Sequence, residues 1–87
     1  MATTIEVGKA FWNKKPARGS SVYSTGDKLF SYGTVILQRL QNGKVIGNAT
    51  KYSVTTSKHQ SQVNIFKSDY RVTGVPMGRS DLRPYKK

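Results

Sequence analysis

The stretch KLFSYGTVILQRLQNGKVIGNATKYSV, Lys28 to Val54, decides the fold class. It holds two runs rich in aromatic and β-branched residues joined by Asn42-Gly43. That dipeptide is the strongest short-range signal for a β-hairpin, because both central residues of a type I′ turn need positive φ. A two-residue loop there pairs Leu40 with Val45, Leu37 with Asn48, Gly33 with Tyr52 and Ser31 with Val54. One face then carries Leu29, Val35, Leu37, Ile46, Tyr52 and Val54 and reads as the core. The other carries Phe30, Tyr32, Thr34, Ile36, Gln38 and Leu40 with Val45, Gly47, Ala49, Lys51 and Ser53. A bulge at Gly33 or Gly47 would shift one end of this scheme. Two strands alone are marginal in water, so further strands must join them.

Outward from the hairpin, TTSKHQSQVNIF (Thr55–Phe66) opens a short helix beginning near Thr56. Ser57 and Gln60 fit a capping box, and His59, Val63 and Phe66 share one helical face. A strand over Gln62–Phe66, with Val63 alternating with Ile65, competes with that helix. Tyr70–Val75 reads as a strand stopped by Gly74 and Pro76. Upstream, NKKPARGSS (Asn13–Ser21) is loop-like, and Ser20–Ser24 can be extended. The chain thus divides into an irregular arm or edge strand (1–27), a core domain (28–76) and a basic tail (77–87) whose removal takes nothing from the core. The class is α+β: a small single domain, an antiparallel hairpin-centred sheet with one short helix.

With 87 residues the chain has room for one small core, and oligomerisation or a ligand would add to its modest stability. Fifteen Lys plus Arg against four Asp plus Glu give a net charge of +11, which favours a polyanionic partner. The charge is not a tail effect: no Asp or Glu occurs between Lys28 and Ser68, where six cations do. The absence of cysteine excludes disulfides, thiolate zinc sites and a Cys nucleophile. The start MATTIEVGKAFW has no secretory pattern and no apolar run suits a membrane span, so a soluble protein of a reducing compartment is expected, with no membrane partner.

The run Leu29, Phe30, Ser31, Tyr32 and Thr34, followed by Asn48, Tyr52, Ser53, Thr55, Thr56, Ser57, Lys58 and His59, resembles a family of small phage and mobile-element proteins. Those share Leu-Phe/Tyr-Ser-Tyr-x-Thr and then Asn-x-x-x-Tyr-Ser-x-Thr-Thr-Ser-Lys/Arg-His. The resemblance covers about a third of the chain. It implies a phage or mobile-element origin, hence the cytoplasm of a host cell, and directs attention to the turn before His59. It implies no particular activity.

Catalysis is poorly supplied. Glu6, Asp27, Asp69 and Asp81 are scattered, and the single His59 leaves no second imidazole for a metal site or an acid–base pair. Thr56 or Ser57 beside His59 has nucleophile spacing, but hydroxyls and a His at a helix start are more often caps and a structural imidazole. No P-loop, GxGxxG or nucleophile elbow is present, so the chain reads as a non-enzyme without cofactor or metal.

Nucleic-acid binding without sequence specificity, to a single strand or to the backbone, is the leading expectation. A basic groove with aromatic rings on which bases stack is the usual device. Phe30 and Tyr32 share a strand face with Lys51, and Lys28 lies near the same end. The arm adds Lys14, Lys15 and Arg18, and the turn Thr56-Ser57-Lys58 offers hydroxyls and a cation to a phosphate. The competing reading packs Phe30 and Tyr32 into the core. An alternative function is a phage-encoded inhibitor docking on an acidic or nucleic-acid-binding surface of a host enzyme, anchored by Phe11, Trp12 and Tyr85. A virion structural component is a further alternative.

Overall fold

The structure, a computed structural model, describes residues 3–52 and 54–85. The sequence pattern predicts an irregular arm or edge strand for residues 1–27; a helix and two strands stand there, the first of the two at the edge of the sheet. Helix α1 spans Thr4–Trp12. Its start is fixed reciprocally, the Thr3 hydroxyl accepting from the Glu6 amide at 3.2 Å and the Glu6 carboxylate from the Thr3 amide at 2.9 Å. Val7 and Phe11, four apart, are both fully buried. At the far end Lys14 takes φ 61°, and the amides of Lys14 and Lys15 bond back to the Phe11 and Ala10 carbonyls, closing the helix.

Six strands follow in one sheet, ordered as in sequence: β1 (Pro16–Arg18), β2 (Val22–Thr25), β3 (Lys28–Ser31), β4 (Thr34–Arg39), β5 (Val45–Asn48) and β6 (Tyr70–Val72). Neighbours are antiparallel up to β5, and helix α2 (Val54–Gln62) carries the chain across so that β6 lies parallel to β5. Three-residue 3₁₀ turns occupy Ile65–Lys67 and Arg83–Tyr85. The α+β class holds, with a second helix beyond the one expected.

The hairpin register differs from the sequence reading. Residues 28–40 are not one strand. Tyr32 (φ 50°) and Gly33 (φ 79°) form the two-residue turn that positive φ at both positions defines, with Ser31 paired to Thr34. At Asn42-Gly43 the loop has three residues instead: Leu40 closes on Lys44, the Gly43 amide donates to the Leu40 carbonyl at 3.0 Å, and Gly43 alone has φ 86°. Leu37 therefore faces Gly47 and Arg39 faces Val45, one residue off the expected pairing. Since side chains alternate, that slip turns β5 over relative to β4. A bulge, at Ile36 rather than at Gly33 or Gly47, changes the phase of β4 as well: Leu29 pairs with Leu37 and Phe30 with Val35.

The outcome is a sheet buried on both faces. One face holds Leu29, Ile36, Leu37 and Val45 under Val7 and Phe11 of α1 and under Val63 and Ile65. The other holds Phe30, Val35, Ile46 and Val72 under Val75 and Leu82. Leu37 and Ile46 are both fully buried, on opposite faces. The segment predicted to be a detachable basic tail thus puts Leu82 into the core of this second face, with Tyr85 packed against it. It is tied down by the Gly78 amide on Thr34 Oγ1 (2.8 Å), the Leu82 amide on Gln38 Oε1 (2.6 Å) and Gln38 Nε2 on Asp81 (2.9 Å).

β5 ends at Asn48, so Tyr52 does not reach a strand position opposite Gly33. Its hydroxyl donates to the Val75 carbonyl at 2.6 Å and accepts from Asn48 Nδ2 at 2.8 Å. α2 begins at Val54, which places Ser57 inside the helix. Gln60 is no cap: its amide group donates to the Asn48 and Thr50 carbonyls at 2.6 and 3.0 Å. The helix stops at Gln62, Asn64 takes the left-handed conformation (φ 60°), and no strand forms over residues 62–66. His59 and Val63 are buried as expected, whereas Phe66 is 68% exposed. Val54 stands in α2, so Ser31 pairs with Val22 and Thr34 and not with it, while Ser53 and the side chain of Val54 lie outside the described residues.

Candidate nucleic-acid interface

The carboxylates come first, because they decide how much of the basic charge is free. Glu6 caps α1, and the Thr3 amide and hydroxyl hold its carboxyl below the usual range. Asp69 accepts from the Val45 amide at 2.9 Å. Asp81 receives the Arg83 guanidinium at 2.9 Å together with Gln38, and Arg83 above all holds its carboxyl far below the usual range. Asp27 lies 3.9 Å from Arg39. Arg39 itself is withdrawn from the surface: its guanidinium sits 4.5 Å over the Phe11 ring and donates to the Phe11 and Gly26 carbonyls. Among the described residues no group of three His, Asp or Glu side chains could hold a metal ion.

Two surface regions then place exposed cations beside exposed rings. The first is the corner formed by the loop after β5, α2, the 3₁₀ turn at Ile65–Lys67 and β6. Lys51, Ser57, Ser61 and Phe66 line a groove there of about 280 Å³. Arg71 on β6 donates to the Phe66 carbonyl at 3.1 Å, and the Lys67 ammonium lies 5.7 Å over the Trp12 ring. Lys58 is exposed on α2. Trp12 ties the corner together, its indole N–H donating to the Val63 carbonyl at 2.8 Å. The second region is the Tyr32-Gly33 turn. Tyr32 is 56% exposed, stacks on His59 at 5.6 Å and 24°, and borders a shallow cleft with Arg18, Ser20 and Ser21.

His59 links both regions to the core. Its Nδ1 shares a 2.8 Å hydrogen bond with the Ser31 hydroxyl, and burial lowers its pKa. The turn is thereby fastened to β3, which is the bond expected of a structural imidazole.

Several predicted site residues fall elsewhere. Phe30 is buried and stacked on Tyr23 at 4.9 Å, because the bulge and the C-terminal segment make its face a second core. Lys28 donates to the Ser80 carbonyl at 2.6 Å and is tied to that segment. Phe11, offered as a partner anchor, is fully buried under Arg39, and Tyr85 is half-buried against the core. Lys58 lies beyond the first turn of α2, so the helix-end argument for it fails. The side chain of Thr56, like that of Thr55, lies outside the described residues. Lys14, Lys15 and Arg18 are exposed around β1, and only Arg18 meets Tyr32. The sequence pattern reads Phe66 as part of the His59–Val63 helical face and not as a site residue, and it does not single out Lys67 or Arg71; Asn64, a residue type that tolerates the left-handed conformation, is the signal that α2 ends before Phe66.

Fold and surface together define a small, basic α+β domain with exposed aromatic rings beside cations. The chain belongs to a family of unknown function, DUF8033, whose model matches residues 5–74. That match runs from α1 through β6 and so includes the segment before Lys28 that the residue pattern leaves out. No curated protein and no solved structure matches the chain. Among the described residues no helix is long and apolar enough to cross a membrane.

Proposed function

We propose that this domain binds nucleic acid through the phosphate backbone, with little sequence specificity and without catalysing a reaction. The observation that carries the reading is the charge imbalance: each carboxylate has a partner within the fold, while Lys51, Lys58, Lys67 and Arg71 are exposed, Lys51 on the groove that Phe66 also lines and Arg71 bonded to the Phe66 carbonyl. Cations of this kind contact phosphates and release counterions without reading bases. A setting in phage or mobile elements, in a host cytoplasm, belongs to the same proposal and rests on the residue pattern from Leu29 to His59. The inhibitor reading is less well supported, since Phe11 is buried and the Trp12 indole is already bonded.

Alanine at Lys51, Lys67 and Arg71, singly and combined, tests it. Each single change is expected to weaken binding to unrelated sequences by the same factor and to flatten the salt dependence by about one phosphate contact. Unchanged affinity and salt slope in the triple variant would remove this corner from the interface.

A further inference from the structure

We infer that the Tyr32-Gly33 turn is a stacking platform for one unpaired base, so that the ligand of this domain is a single strand in preference to a duplex. The inference rests on the nucleic-acid reading above and adds the kind of nucleic acid. Conformation supplies the first argument. Tyr32 has φ 50° at the first central position of its turn, where Asn, Asp or Gly fits and a bulky side chain is sterically disfavoured. Burial repays little of that cost, because the residue is 56% exposed.

Rigidity is the second argument. One face of the ring is stacked on His59, and His59 is buried and held by Ser31. A ring backed in this way is already ordered before any ligand arrives. The third argument is the cleft beside it. Arg18, Ser20 and Ser21 offer a cation and two hydroxyls to the phosphate next to a stacked base, and no carboxylate lines that cleft. A duplex keeps the faces of its bases covered, whereas an unpaired base presents a free π-face to such a ring.

The test compares the full chain with Tyr32→Phe and Tyr32→Asn, titrated at low salt against a labelled random-sequence single strand and against the same sequence as a duplex. Asn suits positive φ, so thermal melts should find that variant at least as stable as the parent. We expect Phe to retain single-strand affinity, Asn to lose roughly ten-fold or more, and neither to change duplex binding. Single-strand affinity unchanged in Tyr32→Asn, an equal loss on the duplex, an equal loss in Tyr32→Phe, or a Tyr32→Asn protein that melts below the parent would each overturn the platform. A parent that binds neither ligand overturns the nucleic-acid reading along with it. A parent that binds both, with Tyr32→Asn unaffected, keeps that reading and removes the platform alone.

Discussion

His59 shows how one residue ties the surface to the core. Its imidazole is buried between α2 and β3, bonded to Ser31 and covered by Tyr32, and burial favours the neutral ring. The folded-state pKa therefore lies below the ordinary value of 6.5, so the unfolded chain takes up a proton first as the pH falls. The stability contributed by the neutral, buried ring is present above pH 6.5, falls below it, and levels off once the folded protein is protonated too. Thermal melts are expected to shift downward between about pH 7 and about pH 5.5 in the parent, and much less in His59→Gln, which keeps a hydrogen-bonding amide but cannot titrate. Identical pH profiles for the two proteins would mean that His59 is not buried as a neutral ring.

The elements were legible in the sequence where local chemistry decided them, and illegible where tertiary contacts did. Both strand runs, the helix after Tyr52 and the strand at Tyr70 carry clear patterns of residue type. The turns misled because Asn-Gly outranks Tyr-Gly as a hairpin signal, yet Tyr32-Gly33 forms the two-residue turn and Asn42-Gly43 a longer one. Ile36, the bulged residue, has no local signature at all. The capping box Thr3-x-x-Glu6, which the sequence reading passes over, starts α1, while in Ser57-x-x-Gln60 the Gln60 side chain bonds the Asn48 and Thr50 carbonyls instead. Gly8 masks α1 further, since glycine weakens a helix by about 1 kcal/mol relative to alanine. Its reason lies across the core, where a Cβ would stand 2.9 Å from the Val63 Cα. Gly8→Ala is accordingly expected to destabilise the domain by about 1–3 kcal/mol despite the better helix propensity, read as a lower melting temperature with altered Trp12 fluorescence. A stabilised Gly8→Ala protein would show that α1 and Val63 do not approach this closely. The candidate site was legible in part for the same reason: Tyr32, Lys51 and Ser57 were found by type and spacing, but Phe66 follows from where α2 stops.

For the whole molecule, two layers close the sheet, helices on one face and the segment from Val75 to Tyr85 on the other. Ending the chain at Pro76 removes Leu82 and the bonds from Gly78 and Leu82, and uncovers Phe30, Val35 and Ile46. Such a protein is expected to lose cooperative unfolding or to aggregate, and one that melts as the full chain does would contradict the two-sided core. The surface that remains is strongly positive, with a net charge of +11 on a body of 35 × 29 × 20 Å. The most direct test of the central claim is the affinity of the full chain for a random-sequence single strand over a salt series. If Lys51, Lys58, Lys67 and Arg71 each neutralise one phosphate, the logarithm of the affinity falls linearly with the logarithm of salt at a slope of about −3, about −0.7 for each contact. Absence of binding at the lowest salt, or an affinity that does not change across the series, would contradict it.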